Sequence, residues 1–90
     1  MENFKTFNEL NFKETDHFLN GVTSRMMFDN GYGVSVIRHK YSYGGPQGLY
    51  EMAVIDSDGV IVYDTEITND VIGHLTEEEV TEYMIQVQKL

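Results

Sequence analysis

Ninety residues, 41% of them apolar, with no cysteine and a formal net charge of −9, set the outer limits of what this chain can be. A chain of this size supports one hydrophobic core and leaves little room for a large internal pocket. Without cysteine there is no disulfide, no thiol catalysis and no cysteine-ligated metal, so the fold must rest on packing.

In chain order, residues 1–20 read as an N-terminal arm or short helix. Phe4, Phe7 and Leu10 recur at helical spacing, and Phe12, Phe18 and Leu19 follow without a clear period. A single α+β domain is expected over residues 21–90. Arg25-Met26-Met27-Phe28 reads as a strand. Asp29-Asn30-Gly31-Tyr32 is a hairpin signal, because Asn-Gly tolerates the positive φ angles of a tight turn. The returning strand is Gly33 to Lys40, with Val34 and Val36 on one face and Ser35, Ile37 and His39 on the other. Residues 41–48, Tyr-Ser-Tyr-Gly-Gly-Pro-Gln-Gly, read as an irregular loop. Leu49–Ile55 is a third strand that places Tyr50, Met52 and Val54 on one side. Asp56-Ser57-Asp58-Gly59 is a second turn, and Val60–Tyr63 a fourth strand.

Thr68 to Gly73, through Asn69, reads as one capped helical turn. Thr76-Glu77-Glu78-Glu79 then forms a capping box, with Leu75 and Val80 as its hydrophobic staple. Val80, Tyr83, Met84 and Val87 follow the i, i+3, i+4, i+7 rule and make one apolar stripe. The expected fold class is therefore α+β: a four-stranded, mostly antiparallel β-meander with a C-terminal α-helix packed on one face. No apolar run exceeds four residues, where a membrane span needs roughly 20. The N-terminus lacks the basic and then apolar pattern of a secretory signal, so the cytoplasm is the expected compartment.

The motifs carry little chemistry. Asp56-Ser57-Asp58-Gly59 begins like a calcium loop, but Val60 stands where an oxygen ligand belongs and Ile67 replaces the bidentate glutamate. His17, His39 and His74 have no paired spacing, and no metal site is expected. The glycine-rich stretches at 31–33 and 45–48 precede strands rather than helices, so they do not cradle phosphate. No serine lies in a nucleophile elbow. The expectation is a protein that is not an enzyme and needs no cofactor.

Charge and aromatic content are more informative. Residues 1–50 balance five acids against five bases, while residues 51–90 hold ten acids and only Lys89 as a base. The candidate acidic surface comprises Asp56, Asp58, Asp64, Glu66, Asp70, Glu77, Glu78 and Glu82. It repels nucleic acid, so direct nucleic-acid binding is not expected, and it raises encounter rates with basic partners. Cations concentrate instead at Arg38-His39-Lys40, beside two tyrosines and the loop. Tyrosine and arginine dominate protein interfaces. Arg38, Lys40, Tyr41, Tyr43, Pro46 and Tyr50 are accordingly the candidate partner-binding residues. The simpler alternative is a mobile loop whose tyrosines pack back on the sheet. A homodimer is a further expectation, because a small sheet leaves edges that need cover.

Phe28-Asp29-Asn30-Gly31-Tyr32-Gly33-Val34-Ser35-Val36, Tyr41-Ser42-Tyr43-Gly44-Gly45, Gly48-Leu49-Tyr50-Glu51, and Tyr63-Asp64-Thr65 through Asp70-Val71-Ile72-Gly73 resemble a group of small, acidic, uncharacterised proteins of tailed bacteriophages and prophages. The resemblance covers about residues 26–90. It brings no catalytic residue with it. What it implies is context: a phage accessory protein acting in the host bacterial cytoplasm, where small acidic phage proteins often inhibit host or defence machinery. The leading expectation is thus a binding protein that modulates or inhibits a bacterial host or defence protein. Two alternatives stand beside it. One is an acidic nucleic-acid mimic of the anti-restriction or anti-CRISPR kind, and the other a small structural or assembly component of the virion.

Overall fold

The computed structural model describes residues 3–68 and 70–90. Its centre is a hairpin of β2 (Val22–Met27) and β3 (Gly33–Arg38), joined at the Asn-Gly turn. Phe28 N donates to Tyr32 O at 2.8 Å, Gly31 N donates to Phe28 O at 3.3 Å, and Gly31 takes the left-handed φ of 88° that the turn requires. β4 (Tyr50–Ile55) runs antiparallel to β3, with Gly33 opposite Ile55 and Ile37 opposite Glu51. β1 (Lys13–Glu14) pairs with the start of β2. The strand order is β1-β2-β3-β4-β5, a five-stranded antiparallel meander rather than a four-stranded one.

The difference lies at the two edges. Val60–Tyr63 is not a full strand: Ile61 makes one bridge to Ile55, and Val62 N donates to Val54 O at 2.8 Å before the chain leaves the sheet. The rest of that edge is taken by β5 (Ile72–Leu75), which sets Leu75 opposite Tyr50 and Ile72 opposite Met52. Two short segments thus share the outer edge of β4. The helical turn expected over Thr68–Gly73 does not form, since Ile72 and Gly73 belong to β5; Asn69 lies outside the described residues. Between the two pairs Gly73 and His74 stand against Glu51 alone, which is a β-bulge, and His74 takes the left-handed region at φ 57°.

The helix α1 (Glu77–Gln88) starts where the capping box predicts. Glu79 N donates to the Thr76 hydroxyl at 3.2 Å, and Thr76 N donates back to Glu79 Oε1 at 3.0 Å. Its buried residues are Val80, Met84 and Val87, with Tyr83 half-buried beside them. They pack on Val34 and Val36 of β3, on Tyr50, Met52 and Val54 of β4, and on Leu75.

The N-terminal segment joins this core. It contains a single 3-10 turn at Phe7–Glu9, not a longer helix. Leu10 is buried, and Phe7 and Phe12 set their rings 5.1 and 5.6 Å from that of Tyr50. Phe7 N donates to the Thr81 hydroxyl of α1 at 3.0 Å. Farther along the helix, Gln88 accepts from Lys5 N and donates to Lys5 O, each at 2.8 Å. Residues 5–12 therefore form the second cover of the sheet, alongside the helix. No helix among the described residues is long and apolar enough to cross a membrane.

Candidate functional site

The meander sorts the loops to two ends of the sheet. The antiparallel register puts Arg38 and Tyr50 at one end with the β3–β4 loop, and the turns at 29–32 and 56–59 at the other. The first end carries the aromatic and basic candidates.

The β3–β4 loop is built, not loose. Ser42 is buried; its Oγ accepts from His39 N at 2.9 Å and donates to His39 O at 3.0 Å. Tyr41 N donates to His39 Nδ1 at 3.1 Å. Successive turns follow, with Gly45 N to Ser42 O at 3.0 Å and Gln47 N to Gly44 O at 3.0 Å, and Pro46 opens a 3-10 turn over Gly45–Gln47. The loop is also sewn to the rest of the sheet. Tyr43 N donates to Glu51 Oε1 at 2.9 Å, and Tyr43 O accepts from His74 N at 3.0 Å. Gly44 sits at φ 90°, and a β-carbon there would come within 2.8 Å of the His74 backbone. The bulge on β5 and the loop are thus fitted to each other.

On this frame Tyr41 and Tyr43 stay 58% and 63% exposed. They do not fold back on the sheet. Lys40 Nζ lies 5.6 Å from the centre of the Tyr41 ring. That ring also meets a residue from another part of the chain: Phe18, 70% exposed, with ring centres 5.5 Å apart. Lys40 N donates to Leu19 O at 2.9 Å, which ties the β1–β2 loop to the β3–β4 loop. A shallow cleft between the two loops is lined by Asn20, Arg38, Lys40 and Pro46, among others. Lys40, Tyr41 and Pro46 are therefore brought together, and Tyr43 lies on the β5 side of the same loop.

Two candidates turn their side chains inward. Tyr50 is only 7% exposed, and its ring is part of the core against Phe7 and Phe12. Arg38 is turned to it: the guanidinium carbon lies 5.1 Å from the ring centre and Nη1 donates to the Tyr50 hydroxyl at 3.2 Å. Their place on alternating, inward-facing strand positions explains both. Phe18, conversely, was not among the sequence candidates. The signal was Asn20-Gly21, a second Asn-Gly pair, with Asn20 in the left-handed region at φ 49°. It closes the β1–β2 connection, where Leu19 N donates to Asp16 Oδ1 at 2.9 Å and Gly21 N to the Thr15 hydroxyl at 2.8 Å.

The acidic candidates do not form one face. Asp56 closes its turn, accepting at Oδ1 from Asp58 N at 2.9 Å and Val60 N at 3.0 Å, at the end of the sheet remote from Tyr41. Asp64 and Glu66 line a cleft with Tyr32, Lys89 and Leu90. Glu77, Glu78 and Glu82 are exposed on α1, two of them in its first turn. Asp70 accepts from Val71 N at 2.7 Å ahead of β5. Among the described residues no three His, Asp or Glu side chains converge as metal ligands would. In comparisons with known proteins, no family model, no curated protein and no solved structure matches this chain.

Proposed function

We propose that this chain is a non-enzymatic binding protein, and that it engages a bacterial protein through the surface of Phe18, Lys40, Tyr41, Tyr43 and Pro46. One observation carries the reading. Three large aromatic side chains stand exposed on loops whose backbones are held by hydrogen bonds at both ends. A binding loop already ordered in the free protein avoids the entropy of ordering on association. Tyrosine adds contact area at the cost of only two torsions. The context of a phage accessory protein in a host cell rests on the resemblance over residues 26–90. It directs the search for the partner to host and defence proteins. The mimic reading has less support, because the carboxylates divide between the far turns and the helix instead of lining one ridge.

The test compares two double variants against whichever host protein the tagged chain retains. Folding of each is checked by circular dichroism, and affinity is measured by calorimetry at low and high salt. Tyr41→Ala with Tyr43→Ala should cost about 2 kcal/mol or more, the mark of an interface hot spot. Glu77→Gln with Glu78→Gln should cost little. If only the glutamate pair weakens binding, and the effect fades in salt, the helix is the interface and the mimic reading replaces this one.

A further inference from the structure

The two edges of the sheet are not alike. On the β5 side the loop covers the bulge, and His74 N is satisfied by Tyr43 O. On the β1 side the cover stops early. β1 supplies two residues, Lys13 opposite Thr23 and Glu14 opposite Val22, against six in β2.

The parity of the hairpin shows what is left open. In an antiparallel pair, backbone groups point alternately toward and away from the neighbour. Phe28 and Tyr32 are bonded to each other, and the register continues through Met26 opposite Val34, Ser24 opposite Val36 and Val22 opposite Arg38. Those residues turn their N–H and C=O to β3. Thr23, Arg25 and Met27 turn theirs outward. Thr23 meets β1, while Arg25 and Met27 have no backbone partner on that side among the described residues. Both side chains are exposed, Met27 by 45%. Such an edge is a template for another strand.

Charge selects the occupant. Lys13 and Arg25 line the cleft at one end of this edge with Asn11 and Thr23, and Lys5 lines the cleft at the other end with Met27 and Phe28. Two of the six Lys and Arg of a chain with net charge −9, Lys13 and Lys5, thus stand at the two ends of the open edge, while the Arg25 guanidinium reaches over the sheet toward Gly59, where a β-carbon would meet its Nη1 at 3.3 Å. Asp29 at the far cleft offsets only part of that. Two-fold pairing of this edge with its own copy over Arg25–Met27 would set Arg25 opposite Met27 of the second copy, with no carboxylate on the paired stretch. We propose that the open edge of β2 at Arg25–Met27 is a strand-addition site for an extended acidic segment of a partner protein. The segment pairs its backbone with Arg25 and Met27, places a carboxylate beside Lys13 from the position opposite Arg25, and lays an apolar side chain, two positions away, against Met27. This site is separate from the Tyr41 surface and does not depend on it.

The probe is a blocked hexapeptide, acetyl-TVTETT-amide, whose Val and Glu stand two positions apart and share a face as Met27 and Arg25 do; it is titrated to millimolar concentration into the isotopically labelled chain and followed by amide NMR. Shifts should be confined to residues 24–28 and 13, and hydrogen exchange at the Arg25 and Met27 amides should slow. Arg25→Glu with Lys13→Glu, shown folded by its own spectrum, should weaken binding at least about threefold. The Tyr41→Ala, Tyr43→Ala double variant should bind as the native chain does. Methylating alternate backbone nitrogens of the peptide should abolish binding, since those N–H groups make the ladder. The proposal is overturned by unmoved Arg25 and Met27 amides, or by equal binding of the N-methylated peptide or of acetyl-TVTKTT-amide. Shifts centred on Tyr41 also overturn it. A dimer in sedimentation that the peptide dissociates assigns the edge to a second copy, and equally overturns it.

Discussion

Asn30 was singled out in the sequence only for its backbone, as half of an Asn-Gly turn, yet its side chain reaches across the fold. Its Oδ1 accepts from Tyr32 N at 3.1 Å, while Nδ2 donates to Val87 O at 2.8 Å, a carbonyl in the last turn of α1 that also accepts from Leu90 N at 3.2 Å. Asn30→Ala should cost about 1–2 kcal/mol, read as a fall in urea midpoint, with Asn30→Asp recovering the turn bond but not the helix contact. Glu9 offers a test by pH. The Thr6 hydroxyl, and then the Thr6 backbone N–H, donate to its carboxylate and hold its pKa below the usual glutamate range. A carboxyl depressed in the folded state contributes stability above its unfolded pKa and loses it as pH falls through the folded value. Glu9→Gln should therefore lower stability slightly at neutral pH and leave it unchanged once pH is below the folded pKa, as followed by denaturation across a pH series. No such argument from sequence could place Tyr50. Its strand and its face were readable from alternation, but that Phe7 and Phe12 would cover it depends on where an aperiodic segment returns.

At the scale of elements, α1 was the most readable piece, because its cap, staple and stripe all agree on the same helix. Met84 sits wholly buried in the middle of that stripe. Truncating a buried methionine to alanine costs about 2–5 kcal/mol, and for a domain of this size each kcal/mol moves Tm by roughly 4–8 °C. Met84→Ala should lower Tm by at least about 8 °C by circular dichroism; a shift of a degree or two would mean that the helix is not the main cover of the sheet. β5 was the least readable. Thr68, Asp70 and Gly73 are cap residues by type, and local signals of that kind predict a helical turn. The open half of the β4 edge overrides them, since Ile72 and Leu75 gain a ladder and a place beside Met52 and Tyr50 there. Val60–Tyr63 fails as a strand for the complementary reason: that edge holds two segments, and neither has its full length.

For the molecule as a whole, separation of charge in the sequence did not become separation in space. The acidic half of the chain supplies the far turns, part of the edge and the helix, so its carboxylates ring the protein. A net charge of −9 on so small a body repels itself. Raising sodium chloride from about 10 mM to about 150 mM shortens the screening length from roughly 30 to 8 Å. Tm should rise by a few degrees in calorimetry; a fall would show that attractive pairs, and not repulsion, dominate. The candidate surface was half readable in the same sense. The tyrosines, Lys40 and Pro46 lie together in the chain and stand together in the fold. Phe18 is 23 residues from Tyr41 and arrives only because two loops meet at one end of a meander.

The paired hydrogen bonds between Gln88 and Lys5 span 83 positions of sequence. They make the backbone nearly a closed ring, with its seam at the end of α1 and its aromatic loops on the other side. The connectivity of that ring is therefore negotiable. A short glycine-serine bridge across the seam, with new termini opened at the exposed Ser57-Asp58 turn, would preserve every strand pairing and the helix cap. Such a circular permutant separates the order in which segments leave the ribosome from the architecture they reach. It would show whether the N-terminal cover must be made first or can follow the helix.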